Sequence, residues 1–257
     1  MLGANAMSAA PTLSVIVTGT NPGPLLSPTL TSVWTQKWVQ PEITVVDGGS
    51  TDGTREWLES QRGKLTAILV EPAGGPYAAI NRGLAAATGE WVLVLAAGER
   101  LVGDMVLSEV SNWIKKTEAG IVAGEVAYDD GLIVRLRSRV NPLAGNFLPR
   151  AAAFYRRTLF AENGSFDPAL GAMADYDFNV RLWKNRVRFK PIPLRITASS
   201  LRPASHSGRW QATREGITVR HRYFSPLACL PWDAVSVLRY AVRKIPSPFT
   251  RPRSGLA

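Results

Sequence analysis

The first half of the chain alternates short, unbroken apolar runs with segments whose apolar residues recur at helical spacing. Residues 13–18, 42–46, 65–70 and 91–95 are rich in Val, Ile and Leu, the pattern of strands buried on both faces. Between them lie helix-like segments at 25–36, 54–61 and 77–87, the first carrying apolar residues at 26, 30, 33 and 34 on one helical face. Alternation of strand and helix predicts an α/β fold on an open, mostly parallel sheet with right-handed crossovers. In such a sheet a ligand lies beyond the carboxyl ends of the strands, so the residues just after each run are the ones to inspect.

The second half is less regular. Residues 121–128 and 132–136 flank Asp129-Asp-Gly131, a hairpin pattern. A helix is predicted at 175–184, opening on two acids, and another at 232–244, followed by a Pro- and Arg-rich stretch, 245–257, expected to fray. No Gly/Ser linker separates two independent domains.

Composition narrows the class. The 257 residues are 46% hydrophobic and include eight Trp, which excludes a disordered chain. A single cysteine, Cys229, excludes an internal disulfide framework and a Cys-built zinc site, and with only His206 and His221 a His-rich metal cage is not expected. The expected compartment is cytoplasmic. The N-terminal stretch has no basic n-region and no run reaches the length of a bilayer span, so neither a secretory leader nor a membrane-spanning helix is expected.

Charge divides the molecule. Residues 1–128 hold 8 basic and 12 acidic side chains, residues 129–257 hold 22 and 8. The basic half suits an anionic partner: nucleic acid, a membrane surface or a phosphorylated substrate. Nucleic acid is disfavoured, because the Arg residues are scattered among apolar runs and no nucleic-acid motif is present.

The strand ends are unusual. Thr18-Gly-Thr-Asn21 follows the first, Asp47-Gly-Gly-Ser-Thr-Asp-Gly-Thr54 the second, and Ala96-Ala-Gly-Glu99 the fourth. Glycines in the second loop permit positive φ and close backbone approach to a ligand, while Ser50, Thr51 or Asp52 can cap the next helix. The spacing matches neither the dinucleotide fingerprint nor the Lys-containing phosphate loop, and a capped strand-to-helix turn is the simplest alternative.

Taken in order, four motifs give the chain its resemblance to a known family. They are Thr18-Gly-Thr-Asn21 with its strand; Val45-Val-Asp-Gly-Gly-Ser-Thr-Asp-Gly-Thr54; Ala79-Ile-Asn-Arg-Gly-Leu-Ala-Ala-Ala-Thr-Gly-Glu90; and Gly164-Ser-Phe-Asp-Pro168 followed by Ala174-Asp-Tyr-Asp177. From about residue 13 to 223 the chain resembles the family 2 glycosyltransferases, and most of all the branch that builds cell-surface polysaccharides and glycolipids. The resemblance implies a GT-A fold: a Rossmann-like, mostly parallel sheet flanked by helices, spanning 1–230, with a nucleotide-binding half at about 11–128, an acceptor half at about 129–230 and a basic amphipathic C-terminal helical extension at 231–257.

It also implies roles. Asp47 would hold the nucleobase of a nucleotide-sugar donor, expected to be UDP-linked, with Thr18 and Asn21 lining the pocket, Gly49 and Asp52 shaping the loop, and Ala97 beside it after the fourth strand. Asn81 and Arg82 would lie near the diphosphate or sugar. Asp175 aligns with the general base of inverting members, with Asp177 as a neighbouring acid. One base suffices for an in-line displacement in which an acceptor hydroxyl attacks the anomeric carbon. For Asp175 and Asp177 the simpler alternative is stabilisation of a helix N-terminus.

The family usually carries Asp-x-Asp after the fourth strand, where Mg²⁺ or Mn²⁺ bridges the diphosphate. Here only Glu99 is left as a metal contact, and the alternatives are direct neutralisation by Arg82, Arg100 or Arg209, or an impaired, non-catalytic nucleotide-sugar-binding relative. His206 and Arg209, with Arg214, Arg220 and Arg222, are expected in a loop and helix that either close over the ligands or form a solvated basic face. The aromatic and basic residues of 232–253 suit the headgroup region of an anionic membrane, hence a peripheral enzyme on the inner face acting on a glycan or lipid-linked acceptor; an ordinary packed helix is the alternative.

Overall fold

The computed structural model describes residues 12–72, 74–136, 140–200 and 210–244. Four parallel strands form its first half: β1 (Leu13–Gly19), β2 (Glu42–Asp47), β3 (Ala67–Val70) and β4 (Trp91–Ala96), in the order β3-β2-β1-β4. They alternate with α1 (Leu26–Trp34), α2 (Thr54–Ser60) and α3 (Gly75–Ala86). The strands expected from the apolar runs are present within one or two residues. One expectation fails: β3 is the edge of the sheet, and its residues are half-buried or exposed rather than buried on both faces.

The remaining elements are β5 (Glu99–Leu101), α4 (Val106–Ile114), β6 (Ile121–Tyr128), β7 (Ile133–Arg135), β8 (Ala153–Arg156), α5 (Thr158–Asn163), α6 (Ala174–Lys184), β9 (Phe189–Ser199), α7 (Trp210–Tyr223) and α8 (Pro226–Lys244). β8 joins the parallel part antiparallel to β4, then β6 and β9 follow, and β5 closes the path antiparallel to β9. β6 and β7 form the predicted hairpin. Only Ala97 and Gly98 separate β4 from β5, yet β8, β6 and β9 lie between them in the sheet. The sheet therefore curls back on itself around the turn that follows β4.

Alternation along the central strands feeds two cores. Ile16, Val92 and Val94 pack with α3 and α6 residues such as Ile80, Leu84 and Phe178. Val15, Val17, Leu93 and Leu95 pack on the other face with Leu30 of α1 and Leu107 and Val110 of α4. Each such fully buried side chain contributes about 1.5–3 kcal/mol of transfer free energy, enough to fix the strand register and hence the level at which the strand ends stop.

Of the C-terminal expectations, α6 is one residue longer than anticipated and α8 begins at Pro226 rather than near 232, so residue 230 falls inside a continuous helix. Pro226 fits the first helical turn, where its missing N–H is not needed, and Pro231 costs the helix one hydrogen bond. His206, Arg209 and the stretch 245–257 lie outside the described residues.

Candidate active site

Parallel register brings three loop starts together. Gly19 pairs with Asp47, and Thr18 with Ala96. The Gly48 N–H donates to Gly19 O at 2.8 Å and the Ala97 N–H to Thr18 O at 2.8 Å, carrying the ladder into the loops. Thr18, Asp47 and Ala97 are buried at this rim, Asn21 exposed upon it.

The two loops after β1 and β2 are tied by their own polar side chains. Asp47, 1% exposed, accepts from the Ser50 N–H at 3.0 Å and from the Ser50 hydroxyl, which itself accepts from the Asn21 N–H at 2.8 Å. Asn21 Oδ1 accepts from the Thr51 N–H at 2.8 Å, with Asn21 in the left-handed region at φ 45°. Asp52 accepts from the Thr54 hydroxyl at 2.6 Å and the Gly23 N–H at 3.0 Å, which hold its carboxyl below the usual range. Gly49 has φ 85°, and a Cβ there would lie 3.0 Å from Pro72 Cβ, so neither backbone nor space favours a side chain. The Asp47 carboxylate is thus turned into its own loop, onto Ser50.

A second group of side chains gathers where the sheet curls. Gly98, at φ 96°, reverses the chain so that Glu99 Oε2 accepts from the Ala96 N–H at 2.7 Å. Arg150, just before β8, donates from Nη1 to Val94 O at 2.7 Å and from Nη2 to Glu99 Oε1 and Oε2 at 3.0 and 3.1 Å. The pair is nearly enclosed, its side chains 14% and 13% exposed. Burial opposes the charge on Arg150, but Glu99, Tyr77 and Asp175 more than offset it and hold the guanidinium cationic.

Asp175, in the first turn of α6, shares this cluster. Asn146 Nδ2 donates to its Oδ2 at 2.8 Å, the Tyr176 N–H donates to its Oδ1 at 2.9 Å, and the Tyr77 hydroxyl is a further partner. Burial pushes its carboxyl above the usual carboxylate range, against the pull of Arg150 and these hydrogen bonds. Tyr77, from the first turn of α3, is itself pushed well above the phenol range by burial and by Asp175. The Asp175 neighbourhood therefore joins the ends of β4, α3 and α6 and the segment before β8.

Asp177 faces elsewhere. Two residues on along the helix, 2% exposed, it accepts from Arg181 at 3.0 Å, Arg222 at 3.3 Å and the Tyr223 hydroxyl at 3.0 Å. Arg220 pairs with Asp233 at 2.7 Å and Arg222 also with Asp167 at 2.9 Å. Arg220 and Arg222 thus partner acids, while Arg214 is exposed on α7. Glu215 of α7 is buried and accepts from the Ala172 and Met173 N–H groups at 2.7 and 3.1 Å, fixing the entry into α6.

The remaining expected residues fall in different settings. The Asn81 amide is bonded to the backbone of Phe166: Nδ2 donates to Phe166 O at 2.7 Å and Oδ1 accepts from the Phe166 N–H at 3.1 Å. Arg82 is exposed on α3, whereas Tyr77, Ile80 and Leu84 take the buried face. Glu99, expected to meet a divalent ion, has both oxygens committed to Arg150 and one also to the Ala96 N–H, while Ala96, Ala97 and Gly98 bring no side-chain donor. Among the described residues no three His, Cys, Asp or Glu side chains gather as a metal site. The donor set after β4 does not fit a divalent cation. Arg150 and Asn146 went unnoticed in the sequence, since each stands in a stretch without periodicity or motif, and Tyr77 and Glu215 were assigned no role.

Comparison with known proteins follows the same outline. The glycosyl transferase family 2 model matches residues 14–180. A PGL/p-HBAD biosynthesis glycosyltransferase of Mycobacterium bovis is 32% identical over 190 residues, 69% of this chain and 72% of that protein. Among solved structures, S. aureus TarS 1–349 in complex with UDP-GlcNAc superposes with a TM-score of 0.67 at 19% identity, covering 90% of this chain and 73% of that one. Against the longer TarS chain the match spans 43% of its length. The mannosyltransferase PcManGT from Pyrobaculum calidifontis, in complex with GDP-Man and Mn²⁺, gives 0.66 at 20% identity over 91% of this chain and 76% of that one. The structural likenesses establish a GT-A fold, and the family match extends across both the nucleotide-side loops and the Asp175 helix: the chain belongs to glycosyl transferase family 2 and is a glycosyltransferase.

Proposed function

We propose that this glycosyltransferase moves one sugar, with inversion, from a nucleotide-sugar donor seated over the ends of β1, β2 and β4 to a hydroxyl of a cell-surface polysaccharide precursor or glycolipid. One observation carries this: Asp175 is a half-buried carboxylate of raised basicity, placed on the same rim of the sheet as the tied loops after β1 and β2. TarS and PcManGT, of similar fold, are in complex with UDP-GlcNAc and GDP-Man, and the mycobacterial relative is a PGL/p-HBAD biosynthesis glycosyltransferase. A UDP-linked donor is the first choice.

In this mechanism the loops fixed by Asp47, Ser50, Asn21 and Asp52 frame the base, with Thr18 and Ala97 at its floor. Asp175 takes the proton of the acceptor hydroxyl as its oxygen bonds to the anomeric carbon. The bond from that carbon to the diphosphate oxygen breaks in line, and the electron pair leaves with the nucleoside diphosphate. Asn146 and the Tyr176 N–H orient the carboxylate, and its raised pKa strengthens it as a base near neutral pH. No covalent intermediate is needed.

The acceptor is proposed to be met at a membrane. No helix of the described residues is long and apolar enough to cross one. α8, however, shows two unlike faces. Asp233 and Ser236 bind Arg220 of α7, and the Tyr240 ring lies tilted against Trp210 with centroids 5.1 Å apart. The other side presents Leu227, Leu230, Val237, Leu238 and Val242, all exposed. Arg239 is exposed beside it, and the sequence places Arg243, Lys244, Arg251 and Arg253 at the helix end and beyond. Such a helix suits the interface of an anionic bilayer, and its basic surroundings oppose self-association of two copies.

The deciding experiment is a donor screen. UDP- and GDP-sugars are offered with glycolipid acceptors, nucleotide release is read, and the anomeric configuration of the product is assigned by NMR. An inverted product with one of these donors is expected; a retained configuration, or nucleotide binding with no transfer to any acceptor, contradicts the mechanism.

A further inference from the structure

In the family pattern, two carboxylates after the fourth strand and one divalent ion sum to zero charge and leave a cation facing the diphosphate. The Glu99–Arg150 pair also sums to zero and also leaves a cation at the end of β4. The guanidinium has five N–H groups; Nη1 and Nη2 bond Val94 O and Glu99, and Nε has no hydrogen-bond partner among the described residues. Glu99 and the Val94 carbonyl fix its position before any ligand arrives. A divalent ion at the same spot would have to share Glu99 with a fixed positive charge and find no side-chain oxygen donor from Ala96, Ala97 or Gly98.

We infer that Arg150 is the cation this enzyme sets against the departing diphosphate, in place of a metal ion, so that donor binding and transfer proceed without metal. The inference rests on the nucleotide-sugar donor proposed above. As the bond from the anomeric carbon to oxygen breaks, negative charge grows on the phosphate oxygen, and Arg150 donates an N–H to it. Charge-assisted bonds from a preorganised guanidinium supply this stabilisation with little rearrangement. The same cation lies near Asp175, so base and charge acceptor are held in one cluster.

The test uses the full chain with UDP and GDP as calorimetric probes, first in EDTA and then with Mn²⁺, together with Mn²⁺ electron paramagnetic resonance. Nucleotide affinity is expected to agree within about twofold between the two conditions, with no tight Mn²⁺ site in the wild type. Arg150→Ala is expected to lose at least about tenfold in EDTA and to recover part of this in Mn²⁺, since Glu99 is then free to hold the ion. Arg150→Lys, which keeps the charge and protects the fold if the alanine variant is unstable, is expected to stay metal-independent at reduced affinity. Wild-type binding that requires Mn²⁺ overturns this inference and leaves the donor proposal standing. Binding of neither nucleotide in either condition overturns both.

Discussion

The loops after β1 and β2 and the turn after β4 border one rim of the sheet, but they are built differently. The first region is held by short-range polar turns: Asp47 on Ser50, Asn21 on Thr51, Asp52 on Thr54. Its partners stand within a few residues of one another or on one neighbouring loop. The second region is held by buried charge: Glu99, Arg150 and Asp175 come from three distant stretches. Turn chemistry sets the shape of the loops after β1 and β2, whereas in the proposed mechanism burial, opposed by Arg150, sets the basicity of Asp175 and Arg150 faces the diphosphate. Shape and reactivity are therefore separable in this enzyme, and variants can break one without the other.

The largest stability effect is expected away from both, at Asp177. Asp177→Asn weakens the pairs that the buried Asp177 makes with Arg181 and the more exposed Arg222 and should cost about 3 kcal/mol, read as a fall in the urea midpoint. Asp175→Asn should leave that midpoint nearly unchanged, because a group whose burial opposes its charge gains from being neutral. Equal destabilisation by the two would erase the distinction between them.

Gly49→Ala acts on the shape side. A residue with Cβ at φ 85° beside Pro72 should cost about 1–3 kcal/mol, and nucleotide affinity should fall while the acid limb of the pH profile stays put. A shifted limb would tie the loop to Asp175 directly.

Asn146→Leu acts on the reactivity side. Asp175 works as a base only when deprotonated, and its pKa is already raised by burial. Activity should therefore be lost as pH falls through a limb above the ordinary carboxylate range. Removing the Asn146 bond takes away support for the charged form, about 1 kcal/mol, and should move that limb to higher pH with donor affinity unchanged. A limb that stays or moves down contradicts the assigned contact.

That contrast also explains what the sequence revealed. Four strand runs and the Asp-Gly-Gly-Ser-Thr-Asp-Gly-Thr loop were legible because turn chemistry and strand burial are written in neighbouring residues. The β6–β7 hairpin was legible for the same reason. β3 misled because an edge strand and a central strand carry similar apolar runs. Arg150 gave no signal: its partners lie about fifty residues upstream, at Val94 and Glu99, and only the curl of the sheet brings them near. Asn81 and Glu99 sat in motifs that the resemblance tied to ligand, yet each is bound within the protein. Asp175 and Asp177 open the same helix yet meet different partners, Asn146 for one and Arg181, Arg222 and Tyr223 for the other.

The smallest effect is expected at the exposed apolar side of α8, proposed above to meet a membrane. Leu230→Glu or Leu238→Glu should weaken co-sedimentation with phosphatidylglycerol vesicles by about 1–3 kcal/mol and leave turnover on a soluble acceptor intact. Unchanged sedimentation would reassign the exposed side of α8.

The most direct test of the account is Asp175→Asn, with transfer and donor affinity measured on one sample. Turnover should fall by about 10²–10⁴-fold while nucleotide affinity holds, since the base touches the acceptor proton and not the nucleotide. Undiminished transfer, or transfer and affinity lost together, would show that Asp175 is not the base and that the cluster around Arg150 serves another purpose.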